Sequence, residues 1–564
     1  MIKLYKSSRQ ILILISMSKN ALLVLIIIVV SIHVKAQFPQ SSTFTKADTL
    51  RGSLSPLRSC YDINYYHLDL KFEIENRYIS GSNTFRFTAT ANIDTLQFDL
   101  YQNLKINKIM YHGLSIEYTR KYNAVFISFP KGISKGLKEE FTVFYEGSPP
   151  QAKKAPMESG IVYATDSLGY PLVATACESK GASIWWPNKD HLSDEVDSML
   201  ISITVPSNLK EVSNGRLRKV TKLNGSFTKY EWFVDSPINN YNVAVNIGNY
   251  SHIQDKYAGE AGPLTLDYWV LPYNGTKATN SFSKNVKAML HSYEYWFGKY
   301  PFYQDGYKLV ETPYPAMEHQ SAISYGGYMK GGPKNELQDP LSSKMWDFVI
   351  IHESAHEWFG NSITAKDLAD LWIHEAFASY AESLFIESQS GKKAGRQYLL
   401  KIRSGIANKE PIVAAYNVNQ MGSGDMYSKG AALLHMIRTI INDDRKWRYI
   451  LRGLNKQFYH QTVTYNDVVD YISAQAGLTF KPVFNQYLLH KELPVLEFRT
   501  VRGMLQSRWS AAEPGFNLPV NIDFKGETKT IYPDGEFRDI NIKGINEKNI
   551  VIERSNYYFT LSGE

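Results

Sequence analysis

Hydrophobic spacing divides the chain into stretches of different period. From Tyr61 to about Ile253 the period is two. Leu68, Leu70 and Phe72 alternate with His67, Asp69 and Lys71, and Phe85, Phe87 and residues 95–100 behave alike, as side chains on half-buried strands must. Asn214-Gly215 and Asn224-Gly225 stand between short β-prone runs, where a tight hairpin turn needs residues that tolerate positive φ. This region, 57–255, predicts a large antiparallel β domain. After about residue 280 the period becomes helical, in Phe282, Val286, Met289, Leu290, Tyr293 and Phe297. Helices are predicted over 344–361, 368–388, 429–441 and 465–476, making 256–491 mainly helical. Alternation returns after Leu493, in Val520, Ile522 and Phe524, with a Pro533-Asp534-Gly535 turn and a strand at 550–552. Residues 492–564 suit a small β-sandwich. The expected fold class is multidomain α+β.

Composition agrees with several ordinary cores. The chain has 564 residues, 44% hydrophobic and 21% charged, which excludes disordered, collagen-like and coiled-coil classes. Its formal charge of +7 is misleading, because Lys3, Lys6, Arg9, Lys19 and Lys35 all fall in the first 36 residues. Without them 57 basic residues face 55 acidic ones, so no electrostatic footprint for nucleic acid remains. Those first residues read as a secretory signal peptide: a basic start, an apolar run over 21–34, and Val34-Lys35-Ala36 before Gln37. The run is short of the roughly 20 apolar residues that a permanent span needs. Cleavage after Ala36 is therefore expected, with export to a periplasmic or extracellular space and no stable membrane insertion afterwards. An uncleaved anchor is the alternative. Residues 37–56, rich in Ser, Thr and Pro, read as a flexible start to the mature chain. The two cysteines, Cys60 and Cys177, exclude a disulfide scaffold and a cysteine zinc site, and leave open whether they pair.

The informative chemistry begins at His352-Glu353-Ser354-Ala355-His356. Residues four apart share a helix face, so both imidazoles can hold one ion while Glu353 projects beside it. In a chain of this composition the pentapeptide arises by chance about once in a hundred, so alone it decides little. A third donor changes that. Eighteen residues separate His356 from Glu375, which lies among Leu371, Trp372, Phe377 and Tyr380. A carboxylate on a buried helix is costly unless paired or metal-bound. Two imidazoles and a carboxylate suit Zn²⁺, with a coordination position left for water, although donor type alone also admits other divalent ions. His374 points about 100° away from Glu375 on a helix and is read as structural.

These residues resemble the gluzincin aminopeptidases, the family of aminopeptidase N and leukotriene hydrolase, whose signature is H-E-x-x-H, eighteen residues, then Glu. Other segments agree in order. Cys177-Glu178-Ser179-Lys180-Gly181 is similar to the acidic segment of that family's β domain, with Trp185-Trp186-Pro187 and Asp190 after it. Pro315-Ala316-Met317-Glu318-His319 stands where the family has Gly-x-Met-Glu-Asn, and Tyr427-Ser428-Lys429-Gly430 matches Tyr-x-Lys-Gly. The resemblance spans roughly 60–490. It implies a saddle-shaped β domain, a thermolysin-like catalytic domain and the small sandwich, and leaves the family's long helical C-terminal domain without a counterpart. There are three departures: Pro315, which lacks an N–H, His319, which can titrate, and Ala176 in place of a glutamine. They imply altered substrate fit.

The resemblance implies a secreted zinc aminopeptidase acting on peptides with a free N-terminus. Zn²⁺, one per chain, would be held by His352, His356 and Glu375. Glu353 would be the general base and Tyr427 the donor to the oxyanion. Glu178 and Glu318 would clamp the substrate's α-amine, with Ala316 and Met317 lining the site. Trp185 and Trp186 are read as core, and Lys429 is given no catalytic role. Two alternatives are an endopeptidase on the same zinc helix and a peptide-binding relative without catalysis. The latter expects loss of Glu353 or of a ligand, and none is lost. The sequence leaves the preferred first residue and the oligomeric state open.

Overall fold

The computed structural model describes residues 44–327, 346–552 and 554–563. The expected leader, 1–36, lies outside them, and no described helix is long and apolar enough to cross a membrane. The segment expected to be loose is ordered from Lys46: helices α1 (Lys46–Gly52) and α2 (Pro56–Ser59) lead into the first strand. The cause is Arg58, fully buried, whose guanidinium bonds the Arg51 carbonyl and the Asp99 carboxylate.

An eight-stranded sheet dominates the first region, with Tyr61–Glu73 and Tyr78–Ala89 near its middle. Its pairing is antiparallel throughout but for one ladder: Tyr61–Glu73 runs parallel to Ser198–Pro206, with Tyr65 opposite Ser198. More than a hundred residues connect those two strands, ample for the crossover that parallel pairing requires. Asn224-Gly225 does turn a hairpin, between Arg216–Leu223 and Phe227–Val234. Asn214-Gly215 does not. Lys210–Val212 pairs in a different, four-stranded sheet, and at Gly215 (φ +70°) the chain crosses over to the large one. The Asn214 amide is buried there and donates to the Asn242 and Gln320 carbonyls, so the dipeptide works as an internal junction. Trp185 and Trp186 are fully buried in this region's core, and Cys60 and Cys177 are both buried and free.

The architecture changes near residue 250. The strand Ser251–Gly259 runs through the expected boundary at 255 and pairs with Gly262–Val270, in a sheet completed by Tyr307–Glu311, Ile323–Tyr325 and the edge strand Ala316–Met317. Helices follow: α3 (Gly275–Phe297), α4 (Phe348–Ala355), α5 (Trp372–Ser390), α6 (Lys392–Arg403), α7 (Asp425–Ile441), α8 (Asp444–Gln457), α9 (Tyr465–Ala476) and α10 (Lys481–Leu489). The C-terminal residues form a four-stranded and a three-stranded sheet. Their apolar residues, among them Leu496, Trp509, Val520 and Phe559, belong to the same buried cluster as the helices. The molecule is thus multidomain α+β, with a β-rich N-terminal region and a helical one behind it.

α4 is shorter than the periodicity predicts. Asp347 caps it by accepting from the Ile350 N–H, and it ends at Ala355, after which the chain turns back. α5 and α7 cross at Gly430. A Cβ added there would lie 2.4 Å from the Ala376 Cβ, so the glycine sets how closely the helix of Tyr427 approaches that of Glu375. Overpacking of this kind costs about 1–3 kcal/mol. Gly430→Ala is accordingly expected to lower unfolding free energy by that order in a urea titration, and unchanged stability would contradict the close crossing.

Candidate metal centre and active site

The last turn of α4 and its C-cap residue place His352 and His356 side by side. Their Nε2 atoms are 3.3 Å apart, and Glu375 Oε2, from the first turn of α5, lies 3.5 and 3.6 Å from them. Zinc–ligand distances of about 2.0–2.1 Å in a tetrahedron give ligand–ligand edges of about 3.3–3.4 Å, so this triangle fits such an ion. The rest of each ring is committed elsewhere. His356 Nδ1 donates to the Phe359 carbonyl at 3.0 Å, and His352 Nδ1 donates to Glu382 Oε1 at 2.5 Å. Both Nε2 lone pairs are thereby turned toward Glu375, whose Oε2 is buried without a hydrogen-bond partner. Gly360 makes the His356 contact possible. Its φ is +133°, and a Cβ there would come within 3.2 Å of His356 Nδ1.

The three donors open on a cleft of about 500 Å³ that Glu178, Ala316, Met317, Glu318, Glu353 and Tyr427 also line. Every predicted site residue is therefore brought to one place. The cleft is short of positive charge. Burial pushes the Glu353 carboxyl up to about 8, aided by Glu318 and Glu375 and opposed by His352. Glu178 is raised well above its ordinary value by burial and by Glu318, and Glu318 is raised by burial against the pull of His356. Glu375 alone is lowered: burial raises it, and His356 and His352 outweigh that. Burial and Glu375 push the Tyr427 phenol upward, which keeps it a proton donor. Its ring lies 6.1 Å from that of His352. A dication among the donors and an ammonium beside Glu178 and Glu318 would relieve this crowd.

The segment bearing Glu318 is welded to the metal helix. Asn361 Nδ2 donates to the Glu318 carbonyl at 2.9 Å, and Glu357, next to His356, accepts from the Ser321 N–H at 2.9 Å and the Tyr300 hydroxyl at 2.7 Å. Ser321 has φ +53°, an uncommon conformation that the Glu357 bond helps hold. From the other side Tyr241 donates its hydroxyl to Glu318 Oε1 at 3.1 Å.

Sequence reasoning missed Glu382, Tyr241, Glu357 and Asn361. Glu382 was within reach, since it lies two turns after Glu375 on one face of a buried helix. Tyr241 carried no such signal. His319 is fully buried, bonds Ser324 Oγ at 3.1 Å and is held down to about 3 by burial. It stays neutral at ordinary pH and is absent from the cleft wall, so its capacity to titrate adds no charge there. His374 accepts from the Ala365 N–H at 2.8 Å, away from the donors. Lys429 is buried with its Nζ on the His490 carbonyl at 3.0 Å. A larger groove of about 900 Å³, lined by Tyr449, Arg452 and Tyr459, contains none of this chemistry.

The residues present fit zinc in donor type, spacing and unmet charge. The protein is expected to retain one equivalent of zinc through gel filtration, and His356→Ala or Glu375→Ala to lose it, as read by elemental analysis. Wild-type protein that takes up no zinc would overturn the fit.

Comparison with known proteins finds zinc peptidases and aminopeptidases among the similar chains. Residues 281–487 match the family model described as the Peptidase family M1 domain. A leucyl aminopeptidase of Saccharolobus solfataricus is 25% identical over 525 residues, covering 88% of this chain and 63% of that protein. A glutamyl aminopeptidase of Sus scrofa is 24% identical over 378 residues, covering 61% and 39%. The chain thus spans less than two thirds of the length of these relatives. An M1 zinc metallopeptidase of Deinococcus radiodurans, solved with a Tyr-Ser-Ala substrate, superposes with a TM-score of 0.63 at 20% identity, covering 76% of this chain and 94% of that one; the likeness is one of fold. Both histidines, Glu353, Glu375 and Tyr427 fall inside the segment that matches the peptidase family M1 domain.

Proposed function

We propose that this protein is a zinc-dependent aminopeptidase that releases the first residue of peptides with a free N-terminus. The observation that carries the reading is the convergence of two carboxyls, Glu178 and Glu318, on the cleft that holds the His352–His356–Glu375 triangle. They bind the protonated α-amine, and the binding energy places the first peptide bond beside Glu353. His352, His356 and Glu375 would hold the zinc, which would supply Lewis acidity for the carbonyl and the attacking water. Glu353 removes a proton from that water as its oxygen adds to the carbonyl carbon, then delivers the proton to the departing nitrogen as the C–N bond breaks. Tyr427 donates its hydroxyl to the oxygen on which negative charge develops. His352 and His356 keep their orientation through Glu382 and the Phe359 carbonyl.

The proposal includes export after cleavage near Ala36, which the basic start and apolar run support. It also includes a saddle-shaped β domain, a thermolysin-like helical region and a terminal β-sandwich, which the two small C-terminal sheets support.

Glu353→Gln is expected to lower kcat by about 10²–10⁴ with zinc retained, and Tyr427→Phe by about 10²–10³. Tyr241→Phe, by loosening Glu318, is expected to raise KM on amino-acyl amides more than it lowers kcat. The decisive assay sets amino-acyl against N-acetylated amino-acyl chromogenic amides, with chelator and with zinc restored. Chelator-sensitive cleavage of the free-amine series alone is expected. Equal cleavage of blocked substrates would replace the exopeptidase by an endopeptidase, and no cleavage of either would leave a binding protein.

A further inference from the structure

Glu382 does not end the chain of contacts that starts at the metal triangle. Its Oε1 takes the His352 Nδ1 proton at 2.5 Å, and its Oε2 takes the hydroxyl hydrogen of Tyr398, from α6. All three side chains are buried. The hydroxyl leaves neither carboxylate oxygen free, so the Glu382 carboxylate cannot rotate about its last bond without breaking a buried hydrogen bond. The ring of Tyr398 is itself fixed, edge-on to Trp346 with centroids 5.7 Å apart. Trp346 also packs against Phe348, at the start of α4, and against Phe385 of α5. Phe348 in turn stacks on the His352 ring at 5.3 Å. One tyrosine therefore touches both things that set the direction of His352: the carboxylate that holds its Nδ1 and the aromatic packing behind its ring.

We propose that Tyr398 is a positioning residue for the metal site, acting through Glu382 to fix the tautomer and the angle of His352. It touches neither the metal donors nor the cleft. Its contribution is that the imidazole waits with Nε2 bare and correctly aimed, so that binding zinc does not require the ring and the carboxylate to be ordered first. The inference rests on the metal-site reading above, but not on the peptidase reaction.

The test is zinc affinity, measured by chelator competition on the full chain after metal removal. Tyr398→Phe keeps the ring against Trp346 and deletes only the donor. It is expected to weaken zinc about tenfold, and Glu382→Gln about 10–100-fold, the range for groups that orient metal ligands. In the Glu382→Gln background the further change Tyr398→Phe should add little, because the partner through which it acts is already altered. The midpoint of thermal unfolding of the zinc-free Tyr398→Phe protein should fall by no more than the loss of one buried hydrogen bond accounts for, and the visible spectrum of its cobalt form should shift as the imidazole loses its fixed angle. Unchanged zinc affinity in Tyr398→Phe would overturn the proposal, as would an effect of equal size in both backgrounds. So would lower affinity matched by a zinc-free protein as destabilised as any packing mutant, with an unchanged cobalt spectrum. Wild-type protein that binds no zinc would overturn both this inference and the metal site on which it rests, which separates the two failures.

Discussion

Five carboxyl groups, Glu178, Glu318, Glu353, Glu375 and Glu382, crowd one cleft, and most of the surrounding structure answers that constraint. Like charges at this density on largely buried side chains push protons back on or call for cations. The two imidazoles outweigh burial at Glu375 and only partly oppose it at Glu353 and Glu318. What keeps the arrangement from collapsing into internal ion pairs is that the lysines and arginines of the buried interior are engaged elsewhere: Arg58 with Asp99, Lys189 with Asp194, Arg438 with Glu387. The fold engages these buried cations away from the carboxyls, and Lys154 is the one described lysine or arginine on the cleft wall, which leaves room for positive charge that arrives from outside.

Packing and charge are linked through close backbone approaches. Gly360 lets the loop after α4 fold onto His356, and Gly430 lets α7 lie on α5. In each case a missing Cβ brings a functional side chain to its place, so a motif that reads as chemistry also records steric demands. The glycine after Tyr427-Ser428-Lys429 belongs to the motif for this second reason. Lys429, buried on a backbone carbonyl, contributes to anchoring the same helix.

Much of this was legible in the sequence. His352, Glu353, His356 and Glu375 are fixed by helical geometry over one turn and by the cost of an isolated buried carboxylate, and both are local arguments. The β-rich and helical regions followed from period. What the pattern does not show is mostly non-local. The parallel ladder between Tyr61–Glu73 and Ser198–Pro206 leaves no trace in either strand, because alternation does not encode the direction of a partner. Asn214-Gly215 carries the composition of a turn, yet its amide serves two distant carbonyls. Two differences are local: α8 is visible in Trp447, Ile450, Leu451 and Leu454 at helical spacing, and α4 is cut short by the Asp347 cap, which periodicity alone does not reveal. Tyr241 and Asn361 became meaningful only once the fold brought them to Glu318.

The weld between the Glu318 segment and α4 has a further consequence. Glu357 and Asn361 bind that segment from the turn that carries His356, so the carboxyl reaching for the amine is held at a fixed distance from one of the metal donors. On the proposed reading the interval between them is a gauge cut to a single α-amino acid. A first residue lengthened by one backbone methylene would seat its nitrogen and bring the wrong atom to the reacting position, and the enzyme would discriminate by chain arithmetic before any side chain was inspected.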